Sequence, residues 1–370
     1  MIKNSAKFYF PSLDGLRSLA CIGIVAMHVS ANLKIKDVSD IAVVDYFISF
    51  AGNFVLLFMM VSAFSLCCGY LERFHNGSIS LENFYSKRYK RILPFFALLT
   101  LIDVIKCVFE NGFSFSNTLI GELWEAFANI TLVFGLLPNN GIDVVGAGWF
   151  LGVIFLFYML FPFYSVLLKN KKTAWLGLVV SLVWFVAIER YFQPVKGSFG
   201  GHTCMLAVAP FFLVGGIAFI YVDELKKYAE NTTLRNAVKI VVICYSIAFF
   251  VFQFSFIFSN LLLYTMWLIY AIIDCSTRRK WTFLSNRVMA FISGISMEIY
   301  LSHMMFFRIF EKIHLANYFS NPKILYLVTL SLVVACTIIF ACVWKKFEKK
   351  WYEKIRDFLK MNAAYENPSR

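Results

Sequence analysis

The sequence predicts an all-α polytopic membrane protein of about ten transmembrane helices, and three observations carry that expectation. Sixty per cent of the 370 residues are hydrophobic and only 15% are charged. Mean hydropathy is +0.69, and the basic residues gather in short stretches between long apolar runs. A soluble chain of this length has no interior large enough for so much apolar surface. The 18 tyrosines and 8 tryptophans supply rings that anchor at membrane–water boundaries.

A net charge of +13 could suggest nucleic acid, because basic patches neutralise phosphates. The distribution argues for membrane topology instead, so no nucleic-acid partner is expected. Nine cysteines lie inside or beside apolar segments without a CxxC pair. They read as small packing residues, and no metal or redox site is expected. Val29-Ser30-Ala31 loosely resembles a signal-peptidase site. Cleavage there would discard Arg17 and His28, and an uncleaved first span is expected.

Apolar runs fall at about 18–33, 47–70, 92–109, 118–137, 149–168, 174–192, 204–222, 238–258, 261–275, 288–311 and 324–344. With the N-terminus inside, the loop from Arg73 to Arg91 is inside, as the positive-inside rule requires. A crossing at 118–137 would put Lys169, Lys171 and Lys172 outside and invert every later basic loop. That run also contains Glu122, Glu125 and Asn129. It is therefore read as re-entrant or interfacial, in a long outer segment at 110–148. Ten crossings with both termini inside then place 27 of the 35 lysines and arginines inside. No repeat or linker divides the chain, so 1–361 is expected to be one membrane-embedded domain. Lys345 to Arg356 is basic and amphipathic, suited to the anionic inner leaflet. Residues 362–370 are expected to be a disordered tail.

Polar residues within these runs are the candidates for chemistry. Arg17 and His28 bound one apolar stretch ten residues long. On a helix they lie roughly 16 Å apart, about half the hydrocarbon thickness. If Arg17 marks the headgroup level, His28 lies near mid-membrane, where ionisable side chains are costly and functional. Arg88 and Arg91 are i, i+3 and share a helix face. Two guanidinium forks on one face suit phosphate or pyrophosphate, though any inner-loop arginine also satisfies the positive-inside rule. Ser296, Tyr300 and His303, at i, i+4 and i+7, form a stripe, with Glu298 also inside that run. Such a stripe faces helices or water, and interhelical hydrogen bonding explains it as readily as chemistry does. On a straight helix His303 lies roughly 24 Å beyond Arg287. Asp103, Lys106 and Glu110 read as a structural charge network, and His75, His202 and His314 as loop histidines. No Walker loop, dinucleotide fingerprint, HExxH or GxSxG is present.

Phe10-Pro-Ser-Leu-Asp14-Gly15-Leu-Arg17 with His28 resembles the first span of the acyltransferase-3 family of integral membrane acyltransferases. The likeness continues through Arg88-x-x-Arg91, Trp149-Phe-Leu151 with Tyr158 and Pro162, Phe211-Phe-Leu-Val-Gly215, Gly294-x-Ser296-x-x-x-Tyr300-Leu-x-His303 and Glu348. The resemblance implies transfer of an acyl group, commonly acetyl from acetyl-CoA, to a sugar hydroxyl. It implies that Arg17, Arg88 and Arg91 hold coenzyme A phosphates and that His28 is the general base. Tyr300 or Ser296 would stabilise the oxyanion, while Trp149, Glu298 and His303 would bind substrate. One departure stands out: longer relatives carry a glutamate five residues after the tryptophan, and here that position is Ile154. The chain therefore resembles the compact polysaccharide O-acetyltransferase subgroup, without a C-terminal esterase-like domain.

The expected function is thus transfer from cytoplasmic acyl-CoA to a surface glycan or lipid-linked saccharide, in a bacterial inner membrane. Succinyl or longer acyl transfer is a rival within enzymes. A glycolipid transporter or flippase, or an inactive member of an export complex, is the rival outside them. No inverted repeat or paired broken helices favour transport.

Overall fold

The structure is a computed structural model that describes residues 9–111, 117–136, 148–192, 205–275 and 282–366. Every regular element among them is helical. In order these are α1 (Pro11–Leu33), α2 (Ala42–Phe50), α3 (Phe54–Leu66), α4 (Glu72–His75), α5 (Leu81–Asn111), α6 (Asn117–Thr131), α7 (Trp149–Leu167) and α8 (Lys171–Ala187). They are followed by α9 (Met205–Ile220), α10 (Val222–Glu230), α11 (Thr232–Phe252), α12 (Ser259–Cys275), α13 (Arg287–Gly294), α14 (Ser296–Lys312) and α15 (Pro322–Glu366).

Local chemistry sets several boundaries. Pro11 opens α1, where its missing N–H costs nothing, and Lys34 closes it in a left-handed conformation. Asn170, Asn231 and Asn286 cap α8, α11 and α13 by accepting backbone N–H bonds. Seven segments are long and apolar enough to cross a membrane: Pro11–Leu33, Ala42–His75, Leu81–Glu110, Trp149–Leu167, Lys171–Tyr191, Thr232–Phe252 and Pro322–Lys354. The pairs α9–α10 and α13–α14 also qualify, but each is bent, by 59° and 69°. The apolar α12 is shorter. The protein is a multi-pass α-helical membrane protein. Its many outward apolar side chains, such as Phe163, Val183, Phe252 and Ile339, suit contact with lipid rather than water.

The centre of the bundle is α1, packed against α3, α12, α13, α14 and α15, while α3 packs along α9. Close approach of α3 and α9 depends on Gly215, where a Cβ would lie 2.1 Å from the Met60 carbonyl oxygen. At Gly15 a Cβ would meet the Leu284 carbonyl at 2.2 Å, so this glycine seats α1 against the segment leading into α13. Asp274 locks the same end. It is buried and accepts from Ser12 Oγ at 2.8 Å, Thr282 Oγ1 at 2.7 Å and Lys239 Nζ at 2.5 Å.

Several expectations change. Residues 288–311 are two helices meeting at Ile295, so the straight-line rise of roughly 24 Å from Arg287 to His303 does not apply. The helix carrying Arg88 and Arg91 starts at Leu81, well before the apolar run, because charged residues continue a helix as readily as apolar ones. The basic tail continues the last helix to Glu366, past the expected boundary at 362, and Tyr352 bonds the Lys90 carbonyl. Residues 367–370 lie outside the described residues, as do 112–116 and 137–147 of the outer segment. Run 118–137 is the helix α6, which turns Ile120, Leu123, Trp124, Phe127 and Ile130 outward. Glu110 pairs with Lys312 of α14, leaving only Asp103 and Lys106 as a pair within α5.

Replacing Gly215 with leucine should destabilise the protein by about 1–3 kcal/mol, because added side-chain volume would force α9 off α3. Thermal unfolding in detergent reads this directly, and an unchanged midpoint would contradict the packing.

Candidate functional site

A cavity of about 300 Å³ opens between α1, α3, α5, α7 and the α13–α14 break. Arg17, Arg88 and Arg91 line one part of it, with Ser65, Tyr70 and Tyr158. Ser293, Ser296 and Tyr300 line another. Among the described residues, no carboxylate lines it.

Each arginine is held differently. Arg17 donates to Ser65 Oγ and sits 3.5 Å from Asp14. Asp14 in turn accepts from Ser293 Oγ at 2.7 Å and Tyr9 OH at 2.7 Å. Burial and that neighbouring carboxylate push the Tyr9 phenol up to about 12, so it remains a donor. Arg88 donates to Tyr70 OH at 2.7 Å, and its guanidinium lies 4.8 Å from the Tyr70 ring centroid and 5.7 Å from that of Tyr158. Such cation–π contacts hold a charge without neutralising it. Arg88 Nε is buried with no hydrogen-bond partner. Arg91 is exposed. Neither Arg88 nor Arg91 has a carboxylate partner among the described residues. Arg17 and Arg88 are half-buried, where like charges repel more strongly than in water, and with Arg91 at the exposed edge this favours an anion between them.

Tyr70 lies in a π-turn, Cys67–Leu71, between α3 and α4, a distortion frequent at functional sites. Nothing in the run Cys-Cys-Gly-Tyr-Leu signals it, and sequence reasoning missed Tyr70, Ser65 and the role of Asp14. Each becomes visible only when α1, α3 and α5 converge.

The α13–α14 break supplies the opposite wall. Ser296 Oγ donates to the Ser293 carbonyl at 2.9 Å, which commits its hydrogen. Tyr300, one turn further, packs against Phe150 at 5.8 Å and Phe58 at 6.3 Å between ring centroids. His303 is not a lining residue. It lies buried behind Tyr300, with ring centroids 6.0 Å apart, and faces His28 of α1 at 5.1 Å. The structure therefore joins His28 and His303, which the sequence treated separately. Trp149 stands behind Phe150, 6.0 Å between ring centroids, and does not line the cavity.

Glu298 is placed differently from the expected substrate-binding role. Fully buried, it pairs with Lys345 of α15 at 2.6 Å, and Lys345 also reaches Glu348 at 3.1 Å. Two residues from Ser296 and from Tyr300, it points to another face of α14 and joins that helix to α15. His75, expected as a solvated loop residue, donates from Nε2 to the Ser165 carbonyl at 2.7 Å. His202 lies outside the described residues. No group of three His, Cys, Asp or Glu among the described residues could hold a metal ion.

A multi-pass helical bundle with an arginine-lined cavity, and two facing histidines behind the Tyr300 wall of that cavity, marks the class as an integral membrane protein with polar groups gathered inside its bundle. Residues 10–344 match the acyltransferase domain family, and the chain belongs to this acyltransferase-3 family. These residues form a membrane-embedded acyltransferase domain. Peptidoglycan O-acetyltransferase OatA of Listeria monocytogenes is 24% identical over 208 residues, covering 51% of this chain and 30% of that protein. YfiQ of Bacillus subtilis, named as a membrane-bound acyltransferase, is 26% identical over 314 residues, 79% of each chain. A Staphylococcus aureus protein named as an O-acetyltransferase is 24% identical over an alignment of 388 residues, covering 94% of this chain and 58% of its own. The chain thus spans less than two thirds of the Listeria and Staphylococcus relatives. No solved structure matches.

Changing Lys345 to methionine should cost about 3–5 kcal/mol, because it strands the Glu298 charge in the bundle. Glu298→Gln should cost less, since Lys345 keeps Glu348, and the double variant should recover much of the loss. Equal destabilisation by the two single variants, measured by unfolding in detergent, would contradict this pairing.

Proposed function

We propose that this protein moves an acyl group, acetyl in the first instance, from cytoplasmic acyl-CoA to a hydroxyl of a cell-surface glycan or lipid-linked saccharide, in a bacterial inner membrane. The observation that carries the proposal is the cavity with three guanidiniums in one part and Tyr300 in another, one helical turn from the His28–His303 pair, with no carboxylate lining it among the described residues. Coenzyme A carries a pyrophosphate and a 3′-phosphate, and planar guanidinium forks match phosphate oxygens. The cavity is too small for a whole coenzyme A, so the adenosine would stay at the mouth beside Arg91. The extended pantetheine arm would carry the thioester inward.

His28 then takes the proton of the acceptor hydroxyl as general base. An oxygen–carbon bond forms, the carbon–sulfur bond of the thioester breaks, and the proton passes to the departing sulfur. Tyr300 or Ser296, both lining the cavity, would stabilise the oxyanion. One relative favours a saccharide acceptor: the name of the Listeria protein specifies peptidoglycan. The positive-inside reading of the basic loops, which puts both termini inside, supports a cytoplasmic donor.

Two measurements test this reading. Arg88→Ala should weaken coenzyme A binding about tenfold to a hundredfold, the size of a lost charge-assisted contact, and Arg88→Lys should recover only part. Titration calorimetry on protein in lipid vesicles reads both, and wild-type affinity in Arg88→Ala would remove the donor site from this cavity. In vesicles given labelled acetyl-CoA and surface glycan, His28→Ala should lower label transfer by about 10²–10⁴-fold. Equal labelling by both proteins would sink His28 as the base.

A further inference from the structure

A general base needs more than position. Its hydrogen must sit on the nitrogen facing away from the substrate, and the cation formed on proton uptake needs a partner. Carboxylates commonly fill that role, yet none of the described residues lining this cavity is one, and Ile154 stands where longer relatives carry a glutamate. The His28 side chain makes no hydrogen bond among the described residues. What faces it is His303.

The hydrogen bonds of His303 fix its own tautomer. Nδ1 lies 2.6 Å from the Tyr300 carbonyl oxygen. That oxygen can only accept, so Nδ1 carries the hydrogen and a neutral ring leaves Nε2 as a bare acceptor. Nε2 is buried and makes no hydrogen bond. A buried, unsatisfied acceptor is costly unless something meets it in the working state. The rings of His303 and His28 lie 5.1 Å apart between centroids and are tilted by 46°, a spacing at which edge nitrogens can come within hydrogen-bond range. His303 is fully buried whereas His28 is half-buried, so a substrate reaches His28 first. Asn32 steadies the join between α1 and α14, donating to the His28 carbonyl at 2.8 Å and touching Met304 Sδ at 4.0 Å.

We infer that His303 is the positioning residue of the base: its bare Nε2 accepts a hydrogen bond from one ring nitrogen of His28 and leaves the other free for the acceptor hydroxyl. The Tyr300 carbonyl completes a line of three groups: carbonyl, imidazole, imidazole. When His28 takes the hydroxyl proton, the bond to His303 shares the new positive charge, and no proton need move onto His303. This rests on the acyl-transfer reading above and extends it to a residue that the family resemblance placed with the substrate.

The test uses the full chain in lipid vesicles, labelled with nitrogen-15 histidine. Signals of two of its five histidines are assigned by their loss in His28→Ala and His303→Phe. His303 should show one neutral tautomer with its hydrogen on Nδ1. His28 should show a single tautomer in the wild type and a mixture in His303→Phe. Thiol release from acetyl-CoA with water as acceptor should lose about 10- to 100-fold in kcat in His303→Phe, the usual range for losing an orienting partner. KM should stay unchanged, and His303→Gln, whose amide oxygen can accept, should recover part. A hydrogen on Nε2 of His303, or a His28 tautomer indifferent to His303→Phe, would overturn the inference. Failure of the wild type to bind coenzyme A or release thiol would instead overturn the acyl-CoA reading, and the spectra would still judge the pair.

Discussion

Positive charge inside an apolar bundle is the constraint around which the rest of this protein is arranged. Arg17, Arg88 and Arg91 share one cavity, and like charges in a poorly polarisable interior repel far more strongly than in water. The protein answers with partial measures. Asp14 stands 3.5 Å from Arg17, Ser65 and Tyr70 accept hydrogen bonds, and aromatic faces cover Arg88. None of these cancels the charge of Arg88 or Arg91. A fully neutralised cluster would be more stable alone and would have less to offer an anionic ligand.

The α13–α14 break follows from the same constraint. A continuous helix would carry its serines past the cavity. The bend at Ile295 leaves Ser293 free to donate to Asp14 and sets Ser296 and Tyr300 on the cavity wall. Below it, the buried Glu298–Lys345 pair fixes the rotation of α14 against α15, since a charge in this interior cannot turn away from its counterion without a large penalty. Rigid placement of the polar helix is therefore coupled to the C-terminal helix, far from the cavity in sequence.

Much of this could be read from the chain. Apolar runs and basic loops marked the helical bundle, and the odd polarity of 118–137 set it apart from the spans. Arg17 with His28 and the stripe from Ser296 to His303 stood out because polar groups within apolar spans are expensive, and Arg88 and Arg91 because they share one helix face. The rest was hidden for identifiable reasons. Tyr70 sits in a π-turn that no local pattern encodes, Ser65 looks like any small residue in a span, and Lys345 looks like a flanking cation. Glu298 was assigned to substrate because sequence shows its depth but not its neighbour.

What the sequence by itself determined is therefore composition at depth: which segments are helical and apolar, and which of them carry charge. Periodicity and hydropathy are local properties, readable within a few turns. Only the tertiary structure decided which charges meet. Arg17 reaches Ser65 across 48 positions, and His28 finds His303 from the far end of the chain. Contacts between residues so distant in sequence depend on how helices cross and where they bend, and these depend on the packing of the whole bundle.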